Sequence, residues 1–468
     1  MVKFYDVIAF GTGSALNIVS SIISHWPEIR VAVVEKDIVG GICLTRGCIP
    51  SKMVLYPAEL LAEIRRAHLF GIDVKVNGVD SKFILRCMRE MVFRESRKIE
   101  ESLKAHPRID LYKGVGEFVD EYTVKIGDEL IKGEKILLCT GSRPFIPLIP
   151  GLEEAGYLTS KSFFLEVEEL PKSIVIIGGG YVAVELGFFM SMMGSKVTII
   201  GKRPRLVPRE EPEISELLGR ELLRHVNLLL NHMAVEAFKR NGRKVVVAEN
   251  LETGGNVEVE ADEILVAAGR HSNSDLTKPE KTGVKVDEKG WIITNEYLET
   301  TKSNIWAFGD ANGKFMFKHK ANYESRIVFY NAFLGKKVKV DYHAIPHAIF
   351  VYPEVASVGL REEEAAEKYD ILVGYNWYES TAKGEAMMVK DYFVKVIVEK
   401  DSYRILGAHI IGPYASILLQ EIVNLMYTHD QSVMPIYNGM HIHPALSEVV
   451  EGAFYNLHDP EAWKKHSH

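Results

Sequence analysis

Gly40-Gly41-Ile42-Cys43-Leu44-Thr45-Arg46-Gly47-Cys48-Ile49-Pro50-Ser51-Lys52 is the stretch on which the reading of this chain turns. It holds two of the 4 cysteines, Cys43 and Cys48. On an extended strand, at ~3.4 Å per residue, their Cα atoms would stand about 17 Å apart. A disulfide needs roughly 4.4–6.8 Å. The segment must therefore curl, and a loop running into the first turn of a helix would do it, with Gly47 easing the turn. A cysteine at a helix N-terminus lies in the positive end of the dipole, which lowers its pKa and favours thiolate. Two readings stand side by side: a redox-active dithiol/disulfide, or two buried, unpaired cysteines. For an isolated pair at this spacing the second is the commoner.

The bulk composition narrows the choice. A chain of 468 residues has room for about three domains of roughly 150 residues each. Its 47% hydrophobic and 25% charged residues are those of a soluble globular protein. A net charge of −7 carries no nucleic-acid footprint. Cys43, Cys48, Cys87 and Cys139 are too few for a secreted disulfide scaffold and fit a reducing cytoplasm. There a close pair is more often catalytic or metal-binding than structural, and two cysteines without a second pair make a weak zinc site, so no metal is expected. Lys3 and Asp6 interrupt the first apolar run, unlike a signal peptide. Residues 174–194 could pass for a membrane span, broken only by Glu185. The Gly178-Gly179-Gly180 triplet and the apolar run at 196–200 read instead as strand, turn, helix and strand, and no membrane association is expected.

Two copies of one pattern flank the cysteine stretch. Residues 5–10 form an apolar run ending at Gly11-Thr12-Gly13; a helical pattern follows to about His25, then a strand pattern to Glu35, 24 positions after Gly11. This is the βαβ dinucleotide fingerprint: glycines admit a pyrophosphate to the backbone, the helix N-terminus binds it, and the carboxylate takes a ribose hydroxyl. Leu16 occupies the third glycine position and should push helix and strand apart, so the packing there must differ. The second copy runs from residue 173 through Gly178-Gly179-Gly180-Tyr181-Val182-Ala183 to residue 200, with Ala183 at the third position. Where an acidic residue is expected stands Gly201, followed by Lys202, Arg203 and Arg205. A site without a carboxylate and with three cations should accept a 2′-phosphate, which favours NADP; solvated surface charge is the alternative. Further strands end in glycine at Cys139-Thr140-Gly141, at Ala268-Gly269 and at Phe308-Gly309-Asp310. Asp310 would meet a second dinucleotide's ribityl or phosphate portion. Residues 239–260 alternate as a β-meander.

Beyond about residue 341 the chain reads as an α+β domain, with strands at 393–398 and 405–411 and helices at 417–428 and 447–457. Near its end stands His441-Ile442-His443-Pro444-Ala445-Leu446-Ser447-Glu448. Pro444 can open a helix, which would place Glu448 one turn inside it. A histidine held by a carboxylate is a general acid/base pair. His441 competes with His443 for that role, and a satisfied surface histidine would be the ordinary outcome for any one of the 16 in the chain.

Taken together and in this order, these pieces resemble the class I pyridine nucleotide–disulfide oxidoreductases, the family of dihydrolipoamide dehydrogenase, glutathione reductase, mycothione reductase and mercuric reductase. The carriers are residues 40–43 and 47–52, the second glycine motif ending in Glu185, Phe308-Gly309-Asp310, and His443-Pro444 with Glu448. The resemblance covers essentially the whole chain. It implies an α/β architecture: two Rossmann-like domains, for FAD and NAD(P), plus a C-terminal α+β dimerisation domain. The boundaries it suggests are 1–150 for the FAD domain with the redox disulfide, 151–275 for the NAD(P) domain, 276–340 for a return to the FAD domain and 341–468 for the interface domain.

The resemblance also assigns roles. Cys43 is the expected interchange thiol and Cys48 the charge-transfer thiol against the flavin. Lys52 and Glu185 match an ion pair near the flavin. His443 is the acid/base oriented by Glu448, reaching the cysteines of the other subunit of an obligate homodimer. FAD contacts are expected from Gly11, Gly13, Ser14, Glu35, Lys36, Gly40, Gly41, Lys52, Thr140, Gly141, Gly309 and Asp310. Nicotinamide-nucleotide contacts are expected from Gly178, Gly180, Tyr181, Lys202, Arg203, Arg205, Gly269 and Arg270. Tyr181 is similar to the tyrosine that lids the nicotinamide pocket in glutathione reductase. Residues 317–324 and 443–446 look closest to mycothione reductase and dihydrolipoamide dehydrogenase-like relatives. The chain ends Lys465-His466-Ser467-His468, where mercuric reductase typically carries a cysteine pair, so mercuric reduction is not expected. The leading expectation is a cytoplasmic FAD- and NADPH-dependent reductase of a small disulfide. A dihydrolipoamide dehydrogenase acting on a lipoyl substrate in a 2-oxoacid or glycine-cleavage complex is the alternative, and a redox-inert flavoprotein scaffold is a distant third.

Overall fold

The structure, a computed structural model, describes residues 1–464; the terminal residues 465–468 lie outside it. At its centre is a seven-stranded sheet. Val2–Phe10 pairs in parallel with Val31–Glu35 on one side and with Glu129–Leu138 on the other. Ile109–Lys113 extends the sheet beyond Val31–Glu35. The strand Glu129–Leu138 serves two neighbours: its first residues pair antiparallel with Thr123–Ile126, and its last three pair in parallel with Ile305–Ala307. The chain thus returns to its first sheet after more than 150 residues. Every residue of Val31–Glu35 is buried, as expected of a parallel strand covered on both faces.

The second sheet repeats the plan. Ser173–Ile177 lies between Lys196–Gly201 and Glu263–Val266, all parallel, with Asn227–Leu230 and Leu158–Thr159 at the edges. The crossover helix Tyr181–Met192 buries Ala183, Val184, Leu186, Gly187, Phe188, Phe189, Met190 and Met192. A helix apolar on all sides belongs inside a protein as well as in a membrane, which explains the span-like hydropathy of residues 174–194. No helix of the described residues is long and apolar enough to cross a membrane. The expected meander is a three-stranded antiparallel sheet, His232–Arg240, Arg243–Asn250 and Asn256–Ala261.

The C-terminal sheet has six strands, in the order His347–Ile349, Val355–Gly359, Ile405–Ile411, Phe393–Glu399, Ile371–Trp377 and Leu457–His458. The helices Ala415–Met426 and Ser447–Tyr455 pack on it. One core runs through helix Cys48–Arg66, helix Tyr181–Met192 and this sheet, joining Val54, Phe188 and Val396 among many others. Burial of each such side chain is worth roughly 1.5–3 kcal/mol, so the three regions are held as one body by ordinary hydrophobic packing.

Three local expectations are corrected. Cys43 does not lie in a loop: it sits in a short helix, Gly41–Arg46, separated by Gly47 from the long helix Cys48–Arg66. A Cβ on Gly47 would come within 2.9 Å of the Ile42 carbonyl oxygen, so the glycine lets the second helix start tight against the first. Pro444 does not open the last long helix, which begins at Ser447; Pro444 lies in the preceding turn, and Glu448 falls in the first helical turn. Leu16 does not force the first helix off its sheet. Ala15 is the fully buried residue there, while Leu16 turns sideways, half-buried, onto a cluster that includes Phe308 and Val328.

Candidate active site

The first glycine turn and the cysteine helix meet in a cleft. Gly11 has φ +90, and a Cβ there would fall 2.4 Å from the Cys139 carbonyl oxygen, because the ends of two adjacent strands nearly touch. Gly41 has φ +69, and a Cβ there would lie 2.5 Å from Gly13 Cα. Only glycine allows both approaches. The cleft is lined by Cys43 and Cys48 and by expected FAD contacts, namely Gly11, Gly13, Ser14, Glu35, Lys36, Gly41, Thr140, Gly141, Gly309 and Asp310; Gly40, Lys52 and the expected nicotinamide-nucleotide contacts are not among its lining residues.

Hydrogen bonds fix the cleft's polar groups. Glu35 Oε2 accepts from the Thr12 amide (3.0 Å) and hydroxyl (2.6 Å), and its Oε1 accepts from the Asp37 amide (2.8 Å). The Thr12 hydroxyl in turn accepts from the Gly40 amide at 2.8 Å. Asp310 accepts from Ser142, whose hydroxyl also takes Arg270 Nε at 2.7 Å. Lys36 pairs with Asp37 at 2.9 Å. The residues fit a bound flavin dinucleotide: the Gly13–Gly41 contact is a cradle a Cβ would fill, and the buried Thr140 hydroxyl has no hydrogen-bond partner among the described residues.

Cys43 and Cys48 carry free thiols hydrogen-bonded to one another. The Cys43 S–H, with help from Lys52, lowers the Cys48 thiol to about 7. The same bond, together with burial, pushes the Cys43 thiol up. Cys48 is the more exposed of the two in the single chain, and acidity separates the two thiols. Lys52, one helical turn after Cys48, bonds both oxygens of Glu185 at 2.9 and 3.1 Å. The Phe350 amide donates to Glu185 Oε1 at 3.0 Å, and Lys52 Nζ lies 4.0 Å from the centre of the Phe350 ring.

The two histidine candidates separate cleanly. His441 lies between Glu421 (2.9 Å) and Glu451 (3.4 Å), with its side chain 8% exposed. His443 is 73% exposed, with Nδ1 2.8 Å from Glu448 Oε1. Glu448 Oε2 accepts from the Ala445 amide at 3.0 Å. The bond to His443 leads in holding the Glu448 carboxyl below its usual range. His443 is not among the residues lining the cysteine cleft of its own chain.

At the second turn, Lys202 and Arg203 are exposed after strand Lys196–Gly201, while Arg205 pairs with Glu216 at 3.1 Å. Arg270 turns inward onto Ser142, supporting Asp310. Tyr181 donates to Glu210 at 2.8 Å. Sequence reasoning missed Thr12, Asn273 and the buried Glu210. It gave Lys318, within residues 317–324, no role. Lys318 lines the cleft and donates to Ser14 Oγ at 3.0 Å. One signal for it existed: it is a cation at the first position of helix Lys318–Ala332, against the dipole's preference.

A family model described as pyridine nucleotide-disulphide oxidoreductase matches residues 5–325, and its dimerisation domain matches residues 345–454. The chain belongs to this family. It is an oxidoreductase acting on sulfur groups in an FAD- and pyridine nucleotide-dependent family, and its dimerisation domain supports a homodimer. It is 33% identical to a dihydrolipoyl dehydrogenase of Chlamydia muridarum over 454 residues, 96% of each chain. It is equally 33% identical to the mycothione reductase of Mycobacterium tuberculosis over 468 residues, 97% of this chain and 99% of the other. Among solved structures it resembles the HOCl-induced flavoprotein disulfide reductase RclA from Escherichia coli, with a TM-score of 0.84 and 27% identity over 96% of this chain and 99% of that one. The α/β architecture with a C-terminal dimerisation domain is that of the pyridine nucleotide-disulphide oxidoreductases.

Proposed function

We propose that this chain reduces a small disulfide with electrons drawn preferentially from NADPH, in the cytoplasm, as a homodimer with shared active sites. The observation that carries the reading is the hydrogen-bonded Cys43–Cys48 pair, with Cys48 acidified beside the Lys52–Glu185 ion pair. Bound in the cleft, FAD would be held by Glu35, Thr140 and Asp310 and would supply the two-electron relay between nicotinamide and the dithiol. The chain's own residues do the rest. Cys43, its thiol proton passed to His443, attacks one substrate sulfur and forms a mixed disulfide, and the other substrate sulfur leaves as a thiol with that proton returned from His443. Cys48 thiolate then attacks Cys43, closing the intramolecular disulfide and releasing the second substrate sulfur as a thiolate, which takes its proton from solvent. Glu448 holds the His443 ring in orientation. NADPH preference rests on Gly201 standing where a carboxylate would take a ribose hydroxyl, with Lys202 and Arg203 exposed beside it. The division at residues 150, 275 and 340 is proposed with the same reading.

Dihydrolipoamide oxidation, the same path run backwards, is the second reading, favoured by the identity to the chlamydial dihydrolipoyl dehydrogenase. Steady-state rates with NADPH and NADH across a panel of disulfides, with lipoamide included, separate the two. The expected result is NADPH-driven reduction of a low-molecular-weight disulfide faster than any lipoamide reaction. NADH-linked lipoamide turnover as the fastest reaction would overturn it. Failure of the reduced nicotinamide to generate two new thiols anaerobically would move the chain to the scaffold class.

A further inference from the structure

Two adjacent carboxylates, Glu210 and Glu211, are each 2% exposed and have no part in the chemistry above. Burying carboxylates is costly unless they are hydrogen-bonded, and both are. Glu210 accepts from the Tyr181 hydroxyl (2.8 Å), from His347 Nε2 (2.7 Å) and from the Ser357 hydroxyl (2.6 Å). His347 and Ser357 stand directly opposite one another on the paired strands His347–Ile349 and Val355–Gly359. Glu211 takes Lys395 Nζ at 3.0 Å and the Glu362 amide at 2.6 Å. One short segment of the second dinucleotide fold is thereby fixed to the C-terminal sheet at two neighbouring points. Burial opposes ionisation of Glu210, yet the His347 bond leads the contacts that hold its carboxyl down at about 2.

The position of Tyr181 makes this arrangement more than a structural tie. Tyr181 is the first residue of the helix that follows Gly178-Gly179-Gly180. Glu185 lies four residues on, on the same helix face, and pairs with Lys52, itself four residues after Cys48. A dinucleotide laid across that glycine turn and reaching toward the cysteine cleft must therefore pass Tyr181. The Tyr181 ring stacks on His347 (5.7 Å, 18°), and His347 stacks on Phe317 (5.5 Å, 3°), a residue that lines the cleft with Cys43 and Cys48. Glu210 is bonded to the first two members of this ring column.

We propose that Glu210 is a positioning residue for the nicotinamide half-reaction: by bonding Tyr181 and His347 together it fixes the aromatic wall past which the nicotinamide reaches the flavin, and ties that wall to the C-terminal sheet. The inference rests on the reading of the Gly178–Tyr181 turn as the nicotinamide-nucleotide site. Its test uses wild-type, Glu210→Gln, Tyr181→Phe and double-variant holoenzyme. NADP⁺ affinity is measured by calorimetry, and flavin bleaching is followed on anaerobic mixing with NADPH. Each single variant binds NADP⁺ about tenfold more weakly, as expected for loss of a hydrogen bond to a charged group, and bleaches correspondingly more slowly. The double variant is no worse than the worse single, because both changes break one contact. Chemically reduced variants pass electrons to a disulfide at the wild-type rate.

Wild-type affinity and bleaching in Glu210→Gln overturn the proposal. So does equal slowing of both half-reactions, which would mark a purely structural role. Should Glu210→Gln not fold, Tyr181→Phe alone decides, since it removes one hydroxyl from a half-buried ring; wild-type NADP⁺ affinity there also overturns the proposal. Failure of the underlying site reading looks different: wild-type enzyme would then bind neither NADP⁺ nor NAD⁺, and the proposal would fall with it.

Discussion

Cys48 owes its acidity to two neighbours of different kinds, a thiol that donates to it and a cation one helical turn away. The Lys52 charge is shared with Glu185, whose own field opposes Cys48 ionisation. Two substitutions in one ion pair should therefore act with opposite signs. In the reduced enzyme, alkylation of Cys48 should rise through an apparent pKa of about 7. Lys52→Met moves that midpoint up by about one unit, and Glu185→Gln moves it down. Identical midpoints in all three proteins would mean that the Cys43 S–H alone sets the value. The linkage sign follows: the folded-state pKa lies below the ordinary 9.0, so the thiolate's contribution to stability is complete above pH 9 and fades as pH falls through 7. At this scale the sequence was informative where a motif fixed the spacing, as for Cys43, Cys48, Lys52 and Glu185. The residues by themselves left His441 competing with His443, and only the resemblance chose His443, because burial between Glu421 and Glu451 is a tertiary fact.

Among the elements, the turn that presents Asp310 is held by a pair that never meets solvent. Lys320 and Glu324 lie one turn apart on helix Lys318–Ala332, both side chains 0% exposed, 2.8 Å apart. Lys320 Nζ donates to the Gly309 carbonyl (3.1 Å) and to Asn312 Oδ1 (2.8 Å). Glu324 accepts from the Gly309 amide (2.7 Å), from Asn312 Nδ2 (2.9 Å) and from the Tyr342 hydroxyl. Removing one partner strands the other in the core, so Lys320→Met should cost about 3–5 kcal/mol in urea unfolding and loosen FAD retention. Lys320→Met with Glu324→Gln should cost less than the sum of the singles. A loss below about 1 kcal/mol in Lys320→Met would show that Glu324 is satisfied without it. Sequence patterns revealed the glycine turns and the βαβ order because those depend on local periodicity and backbone clearance. They began the last helix at residue 447, where it does begin, but read a loop running into a helix across the cysteines and offered Pro444 as a helix start, because single residues such as Gly47 and Pro444 mark a break without saying which side of it is helical. Nothing local marks Glu210, whose partner His347 is 137 residues away; the Lys320–Glu324 spacing is local, but the burial of that pair is not, since it depends on Gly309, Asn312 and Tyr342.

At the scale of the whole molecule, the fold leaves a completed acid/base pair on the outside of each chain. His443 is bonded to Glu448, 73% exposed, and absent from the lining of its own cysteine cleft, while the chain carries the family's dimerisation domain over residues 345–454. A two-fold dimer presents the same patch from both subunits, and we propose that each exposed His443 serves the cysteines of the partner subunit. This gives a complementation experiment. Cys43→Ser homodimers and His443→Ala homodimers should both lose disulfide turnover, the first for want of the exchanging thiol and the second for want of the proton donor. A heterodimer of the two variants, purified through two tags, contains one site with the intact cysteines of one chain and the intact His443 of the other, and one site with both defects. It should recover about half of the wild-type activity per dimer. If His443 acted within its own chain, every site in that heterodimer would carry one defect and activity would stay at the level of the parents. Glu448→Gln in place of His443→Ala should give a milder parent and the same direction of rescue, since it loosens the histidine's orientation without removing the proton donor.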